Sequence, residues 1–383
     1  MSQNQSPDKR LSTAFHRPCW VEIDTAALRR NFQTIRNITG PSSKILAVVK
    51  ANAYGHGIIE ISRIMAEEGA QYLGVTSIEE GMALRRASIN LPILVLGSLY
   101  PFDSFPLLFE YRLTPTIASI EGAKALSDLA IRLNKNIAVH LKFDSGFGRI
   151  GVSTAGAAAF LEKIRTLPGL IIEGLYTHFS DSDGPSEYTF SQISRFKTVL
   201  QAAQSMGLSI PLVHMANSAA ILRFPEALGT MARPGISLYG AIAPSISGSS
   251  SFRAVLCWKT RIIFIKSVPE GASISYNCTW TAKRPTRVAT LAVGYADGFP
   301  RSLSNKGWVL IHGRRVPVIG RVTMDMTMVD VTDVKDCHVG DDVTLIGTQE
   351  SGEISANEVA EWTGTIPYEI LCGIAPRVYR IYL

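Results

Sequence analysis

A lysine closes the apolar run "ILAVVK", and the segment after it, "ANAYGHG", is small, polar and rich in glycine. Lys50 is therefore a strand-end amine next to backbone that can turn sharply. Other apolar runs also end in polar groups. "IAVHLKF" carries Lys142 and leads into "DSGFGRIG" with Arg149, and "IIEGLYTHF" brings His178 near its end. "PLVHMAN" ends at Asn217, ahead of Ser218, while "ARPGISLYG" contains Arg233, Gly235 and Ile236. A desolvated lysine is useful mainly as an amine nucleophile toward a carbonyl. Asn217–Ser218 caps the helix that begins "AAILRF", and the N–H groups at such an end attract an anion. Each residue also has an ordinary reading. Lys50 and Lys142 suit strand-end charges in solvent, His178 a hydrogen-bonded core histidine, Arg149 and Arg233 the surface, and Asn217–Ser218 a plain cap.

Eight short runs rich in Val, Ile and Leu must position these groups. They are 45–50, 72–77, 92–98, 113–119, 137–143, 171–179, 211–217 and 232–240. Between most of them lie segments such as "IIEISRIMAEEGA" and "IEGAKALSDLAIRLNK", whose apolar residues recur every three or four positions. Eight strand–helix units close a parallel β/α barrel; an open doubly wound sheet usually has fewer. In a barrel, the C-terminal strand ends share one mouth, and a phosphate pocket after strands seven and eight is common. That gathers Lys50, Lys142, Arg149, His178, Asn217, Ser218, Arg233 and Gly235. A nucleophilic lysine beside a phosphate pocket and several cations points to pyridoxal phosphate. "GFGRIG" matches a dinucleotide fingerprint in form, but it lies on the fifth unit with no matching second half, which argues against that reading.

Helical periodicity stops at the Ser/Gly-rich "APSISGSSSF". Beyond it, "RIIFIKSV", "ASISYNCTW", "RVATLAVGY", "WVLIHGRRVPVIG", "MTMVDVTDV" and "DDVTLIG" alternate at period two. One helix, "SANEVAEWTG", and a tail ending "RVYRIYL" close the chain. The expected organisation is a flexible extension over 1–17, a cofactor-binding barrel over 18–245 and a mainly β domain over 246–383.

The 383 residues are 46% hydrophobic and 18% charged, an ordinary globular balance long enough for two domains. The net charge of +6 is spread out, with no basic stripe, so nucleic acid is not an expected partner. The five cysteines are widely spaced without CxxC, which argues against a disulfide framework or a zinc site. No run approaches membrane-span length, and the polar N-terminus lacks the apolar core of a signal peptide. The expectation is a cytoplasmic protein with a small-molecule substrate and no metal.

"AVVKANAYGHG", "LKFDSGFGRIG", "THFSDSD", "HMANSAA", "ARPGISLYG", "VGYADGFPR", "GRVTMDM" and "IPYEILCGIAPRVYR" occur in this order from about Trp20 to the C-terminus. Together they resemble the bacterial alanine racemases, fold-type III pyridoxal-phosphate enzymes. The resemblance implies a β/α barrel followed by a β domain, a head-to-tail homodimer with shared active sites, and D-alanine supply for peptidoglycan. It also implies roles. Lys50 is the lysine that carries pyridoxal phosphate, and Tyr276 is a second base contributed to the partner's site. Tyr54, Ser218, Gly235, Ile236 and Tyr368 contact the phosphate. Arg233 faces the pyridine nitrogen, and His178 supports Arg233 and Tyr276. Lys142, often a carbamate in the family, positions Arg149 at the cofactor. Met324 and Asp325 reach across the dimer, and Asp183, Tyr295, Arg301, Arg321 and Ile366 line the access channel. Two departures stand out: Asn277 and Cys278 follow Tyr276 where the family more often has a glycine, and Tyr379 replaces a frequent proline. Competing readings are a racemase of serine or a basic amino acid, a barrel-type decarboxylase, which would want an acidic partner where Arg233 stands, and a pyridoxal phosphate carrier, which would lack the β domain.

Overall fold

The computed structural model describes residues 16–383. Residues 1–15, most of the expected extension, lie outside them. The chain forms two compact units. One is Ala27–Arg253; the other combines the segment up to Ala26 with Ala254–Leu383.

The first unit is a parallel β/α barrel. Its strands are β2 (Lys44–Val48), β3 (Tyr72–Val75), β4 (Ile93–Ser98), β5 (Thr114–Ile117), β6 (Ile137–Asp144), β8 (Leu170–Tyr176), β9 (Leu212–His214) and β10 (Met231–Ala232), with a two-residue β7 (Val152–Ser153) on the flank of β6. They pair in the order β10-β2-β3-β4-β5-β6-β8-β9. The seam between β9 and β10 is bridged by Thr230 N–H to Val213 O (2.9 Å) and Arg233 N–H to Ala216 O (2.9 Å). Strand residues such as Ile45, Leu46, Leu73, Ile93, Leu94, Val139 and Leu141 are wholly buried, which is why these runs read as continuous apolar stretches. Serine starts two of the intervening helices: Ser77 Oγ accepts from Glu80 N–H and Ser119 Oγ from Gly122 N–H.

Two expected strands are corrected. The run 232–240 is a strand only at Met231–Ala232, since Pro234 lacks a ladder donor and Gly235–Gly240 forms successive tight turns. Arg233 therefore follows the last strand instead of beginning it. "ASISYNCTW" is a tight hairpin of β12 (Ser273–Ile274) and β13 (Trp280–Thr281), with Tyr276 on its turn. Ser275, Asn277 and Cys278 all have positive φ there, a conformation asparagine tolerates better than most residues.

The second unit is mainly β. Its core includes Trp20, Trp258, Phe299, Val309, Leu310, Val329 and Val343, with Trp258 and Phe299 edge to face at 6.0 Å. The thirteen-residue β11 (Leu256–Val268) organises it. Its first half pairs with β1 (Cys19–Ile23) and with β18 (Asp342–Gln349), and its second half with β14 (Thr286–Leu291). Strands β15 (Trp308–Ile311), β16 (Arg314–Ile319) and β17 (Thr327–Asp330) complete the path from β18 back to β14. The last strand, Tyr379–Tyr382, runs parallel to β1. Cys19–Ile23 thus belongs with the β unit, although the sequence reading placed 18–26 with the barrel. That unit's C-terminal counterpart starts at Ala254 rather than at residue 246. A short helix, Pro367–Cys372, follows the expected Ala356–Thr363. No helix among the described residues is long and apolar enough to cross a membrane.

Candidate active site

Lys50 follows β2, and the chain then does something unusual. Ala51, Asn52, Ala53 and Tyr54 all have φ between 52° and 54°, a left-handed turn made without glycine. Each such residue costs about 1–2 kcal/mol, so neighbours must impose the turn. Glu80 does part of this: its carboxylate accepts from Ala51 N–H (2.6 Å) and Thr76 N–H (2.8 Å). Asn52 Oδ1 accepts from Ile58 N–H (2.9 Å), and Gly55 N–H closes onto Ala51 O (3.0 Å). The outcome is a buried Tyr54 whose hydroxyl lies against Gly235: a Cβ at Gly235 would sit 2.5 Å from it.

Gly235 belongs to a small polar cradle. Its N–H donates to Ser218 Oγ (2.8 Å), as do the Ser237 N–H (3.2 Å) and hydroxyl (3.0 Å). With its lone pairs engaged, the buried Ser218 hydroxyl keeps its own hydrogen to offer an anion. Asn217 caps the following turn through Ala220 N–H, and Ser182 donates to the same Asn217 oxygen. Ile236 is buried beside this cradle in sequence, as are Ser218 and Arg233.

The mouth also collects cations. Lys142 is 6% exposed, and burial, then Arg233, Arg149 and Lys50, push its amine down to about 8. Asp144 opposes that shift, but its carboxylate accepts from the N–H groups of Gly146, Phe147 and Gly148. His178 is held well below its ordinary range by burial and then by Arg233, Lys142, Arg149 and Lys50, so it is neutral. Arg233 is buried and donates to the carbonyls of His214 (2.7 Å), Thr177 (2.7 Å) and Met215 (2.9 Å), with His178 Nδ1 at 3.4 Å. Lys142 and Arg233 both lie over the Tyr176 ring at 5.4 Å, and Arg149 covers Phe147 at 4.2 Å. Asp183 lies in the loop after His178, which Arg223 anchors through the carbonyls of Ser182 (2.8 Å) and Gly184 (2.7 Å).

A second group lies in the β unit. Tyr276 is 68% exposed on its hairpin turn, and Ser275 Oγ donates to Arg321 O (2.7 Å). Tyr295 and Ala296 donate their N–H groups to Thr323 and Met324 carbonyls (3.0 Å each), which ties Tyr295 to the Met324–Asp325 loop. Met324, Ile366 and Tyr368 are exposed, and Arg301 opens the turn Arg301–Leu303. Beneath lies Asp297, fully buried, its carboxylate held by Arg17 (2.6 Å) and Arg377 (2.7 Å); Arg377 also reaches Asp325 (2.7 Å).

Sequence reasoning missed Glu80, Tyr176, His214, Ser237 and Asp297. Tyr176 and His214 lay inside quoted motifs, and Ser77-x-x-Glu80 has the form of a capping box. Only the fold shows that Glu80 crosses to Ala51.

A mouth with the buried cations Lys142 and Arg233 and a serine–glycine cradle is suited to a phosphate and a carboxylate, the anionic groups that pyridoxal phosphate and an amino acid would bring. The family described as alanine racemase, N-terminal domain, matches residues 23–243, and that described as alanine racemase, C-terminal domain, matches 255–382. The chain is 47% identical over 369 residues to alanine racemase of Halothermothrix orenii, covering 96% of this chain and 97% of that one. It is 42% identical over 370 residues to that of Methanococcus maripaludis, with coverage of 96% and 99%. Among solved structures, alanine racemase of Clostridium difficile 630 superposes with a TM-score of 0.91 at 36% identity, covering 96% of each chain. The Bacillus anthracis enzyme with bound L-Ala-P does so with 0.89 at 38%, covering 97% and 96%.

Proposed function

The chain belongs to the alanine racemase family, and from that premise we propose that it interconverts L-alanine and D-alanine with pyridoxal phosphate at the barrel mouth, as a homodimer with shared sites. The cationic mouth carries this reading: Lys142, Arg233, Arg149 and Lys50 repel one another until anions arrive. When bound, pyridoxal phosphate supplies an electron-withdrawing ring that acidifies the α-proton of an amino acid.

The chain's own residues do the rest. Lys50 holds the cofactor through its amine. Ser218, Gly235, Ile236, Tyr54 and Tyr368 bind the phosphate. Arg233 only donates and does not give up its proton, so it would hold the ring nitrogen as an acceptor and supply it no proton, unlike the acidic partner a decarboxylase would want there. Arg149 would hold the ring oxygen and the substrate carboxylate, and Met324 of the partner subunit would close the same pocket. Racemisation removes a proton from one face of the α-carbon and delivers one to the other, so two opposed groups are needed. Lys50 serves one face and Tyr276 of the partner subunit the other. The exposure of Tyr276 in a single chain supports that assignment. A free tyrosine has a pKa of about 10, so a base role needs a donor. His178 offers one: with Nδ1 toward the Arg233 donor at 3.4 Å, its neutral ring carries the hydrogen on Nε2, which can donate.

Lys142, near pKa 8, has a neutral fraction at physiological pH. Its amine nitrogen bonds to the carbon of CO2 and releases one proton, leaving a carbamate that exchanges a cation for an anion beside Arg149. Asp183, Tyr295, Arg301, Arg321, Asp325 and Ile366 line the access channel, where they select small amino acids.

A panel of L-amino acids assayed for the D-enantiomer by chiral chromatography tests the reading. Alanine is expected to lead; serine or lysine turning over faster refutes the specificity.

A further inference from the structure

A continuous set of polar contacts crosses the barrel interior from Arg233 to the opposite end. Arg233 lies just past β10, at the mouth. Its NH1 is 2.9 Å from His214 Nδ1, His214 Nε2 is 2.8 Å from His140 Nδ1, and His140 Nε2 is 3.2 Å from Glu173 Oε2. Tyr72, the first residue of β3, donates its hydroxyl to Glu173 Oε1 at 2.7 Å. Both histidines are fully buried.

Proton positions along this set follow from donor rules. Arginine only donates, so His214 Nδ1 accepts and the neutral ring carries hydrogen on Nε2. That hydrogen goes to His140 Nδ1, which places the His140 hydrogen on Nε2, directed at the carboxylate. Burial lowers the pKa of both rings; Glu173 opposes that shift at His140, while Arg233 adds to it at His214. The reverse register puts hydrogen on His214 Nδ1, where it faces an Arg233 N–H at 2.9 Å, two donors in opposition. Arg233 thus favours the first register from one end and Glu173 favours it from the other, because a carboxylate accepts and does not donate.

The backbone is shaped for this. Val139 pairs with Ile172 and His140 with Gly174, so Glu173 is an extra residue in β8, and such a bulge re-aims a side chain. A Cβ on Gly174 would sit 2.5 Å from His140 Nδ1, so glycine leaves the space the imidazole occupies. Tyr176 stacks on His214 with ring centres 4.6 Å apart and planes 7° apart, which fixes that ring's plane.

We propose that Glu173 is a remote positioning residue that, through His140 and His214, keeps His214 Nδ1 an acceptor for the Arg233 guanidinium. The consequence for the cofactor rests on the reading that Arg233 faces its ring nitrogen; the relay itself does not.

The test is nitrogen NMR of histidine-labelled holoenzyme, with the absorption spectrum of bound pyridoxal phosphate recorded on the same samples. In the wild type, His140 and His214 are expected as Nε2–H tautomers. Glu173→Gln, whose amide oxygen still accepts from His140, is expected to keep both tautomers and the band position. Glu173→Leu is expected to move at least one ring to the Nδ1–H or a mixed form and to shift the cofactor band, with KM for alanine little changed. An Nδ1–H tautomer on either ring of the wild type overturns the proposal, and so does a Glu173→Leu protein with wild-type histidine signals. If Glu173→Leu does not fold, the wild-type tautomers and the Glu173→Gln spectrum still decide. A wild type that takes up no pyridoxal phosphate sinks the cofactor reading alone, since the histidine spectra judge the relay in either case.

Discussion

Gly235→Ala is a small change at a crowded point. Its φ is not in the left-handed region, so the effect is one of contact alone: the new Cβ meets Tyr54 Oη at 2.5 Å, Cζ at 3.2 Å and Val48 Cβ at 3.7 Å. Tyr54 is buried on a turn clamped by Glu80 and Asn52, so it has little room to retreat. Overpacking of this kind costs roughly 1–3 kcal/mol of stability. If Tyr54 or the Gly235 N–H loses one hydrogen bond to the phosphate, cofactor binding weakens by about 1.5–3 kcal/mol, which is roughly 10- to 150-fold in Kd. The assay is titration of the cofactor-free protein with pyridoxal phosphate. Adding Tyr54→Phe removes the oxygen at 2.5 Å, so the double variant should be more stable than the sum of the single effects implies, a coupling above about 0.5 kcal/mol. Wild-type affinity and stability for Gly235→Ala, or strict additivity with Tyr54→Phe, would refute the packing argument.

Lys50→Ala is expected to lose the visible absorbance of bound cofactor, which a spectrum of the purified variant checks directly. Lys142 has a folded pKa near 8 against an ordinary 10.5, so between those values the unfolded chain holds more protons. In CO2-free buffer, where Lys142 is a free amine, stability of the cofactor-free protein should therefore rise with pH from about 8 to 10.5, and Lys142→Met should flatten that rise in urea titrations followed by far-ultraviolet circular dichroism. Asp297→Ala leaves Arg17 and Arg377 without their shared carboxylate and should destabilise the β unit by roughly 1.5–3 kcal/mol. All five tryptophans, at 20, 258, 280, 308 and 362, lie in that unit, so urea denaturation read by tryptophan fluorescence reports on it selectively.

The barrel was legible because its strands are buried on both faces and show as unbroken apolar runs, and because polar residues mark their ends. β10 was harder: Pro234 cuts it to two residues, yet "GISLYG" beyond is as apolar as a strand. Cys19–Ile23 was misplaced for a different reason. "CWVEI" is a short, nearly unbroken apolar run like those of the barrel, and its partner β11 lies more than two hundred residues away, a pairing that leaves no local trace. Lys50 could be picked out from its position at a strand end, whereas the left-handed turn after it could not, since Ala51 and Ala53 carry no sign of positive φ. Glu173 read as one more strand residue; the register slip that turns it inward exists only in the folded sheet.

The central claim is that each site joins Lys50 of one subunit to Tyr276 of the other. Purified Lys50→Ala and Tyr276→Phe proteins should each be nearly inactive in alanine racemisation. Dissociated, mixed in equal amounts and reassociated, they should form hybrids with one intact and one doubly defective site, restoring about a quarter of wild-type activity for random pairing of a two-fold dimer. A mixture no more active than its components, under conditions where hybrids are shown to form, would contradict the shared two-base site.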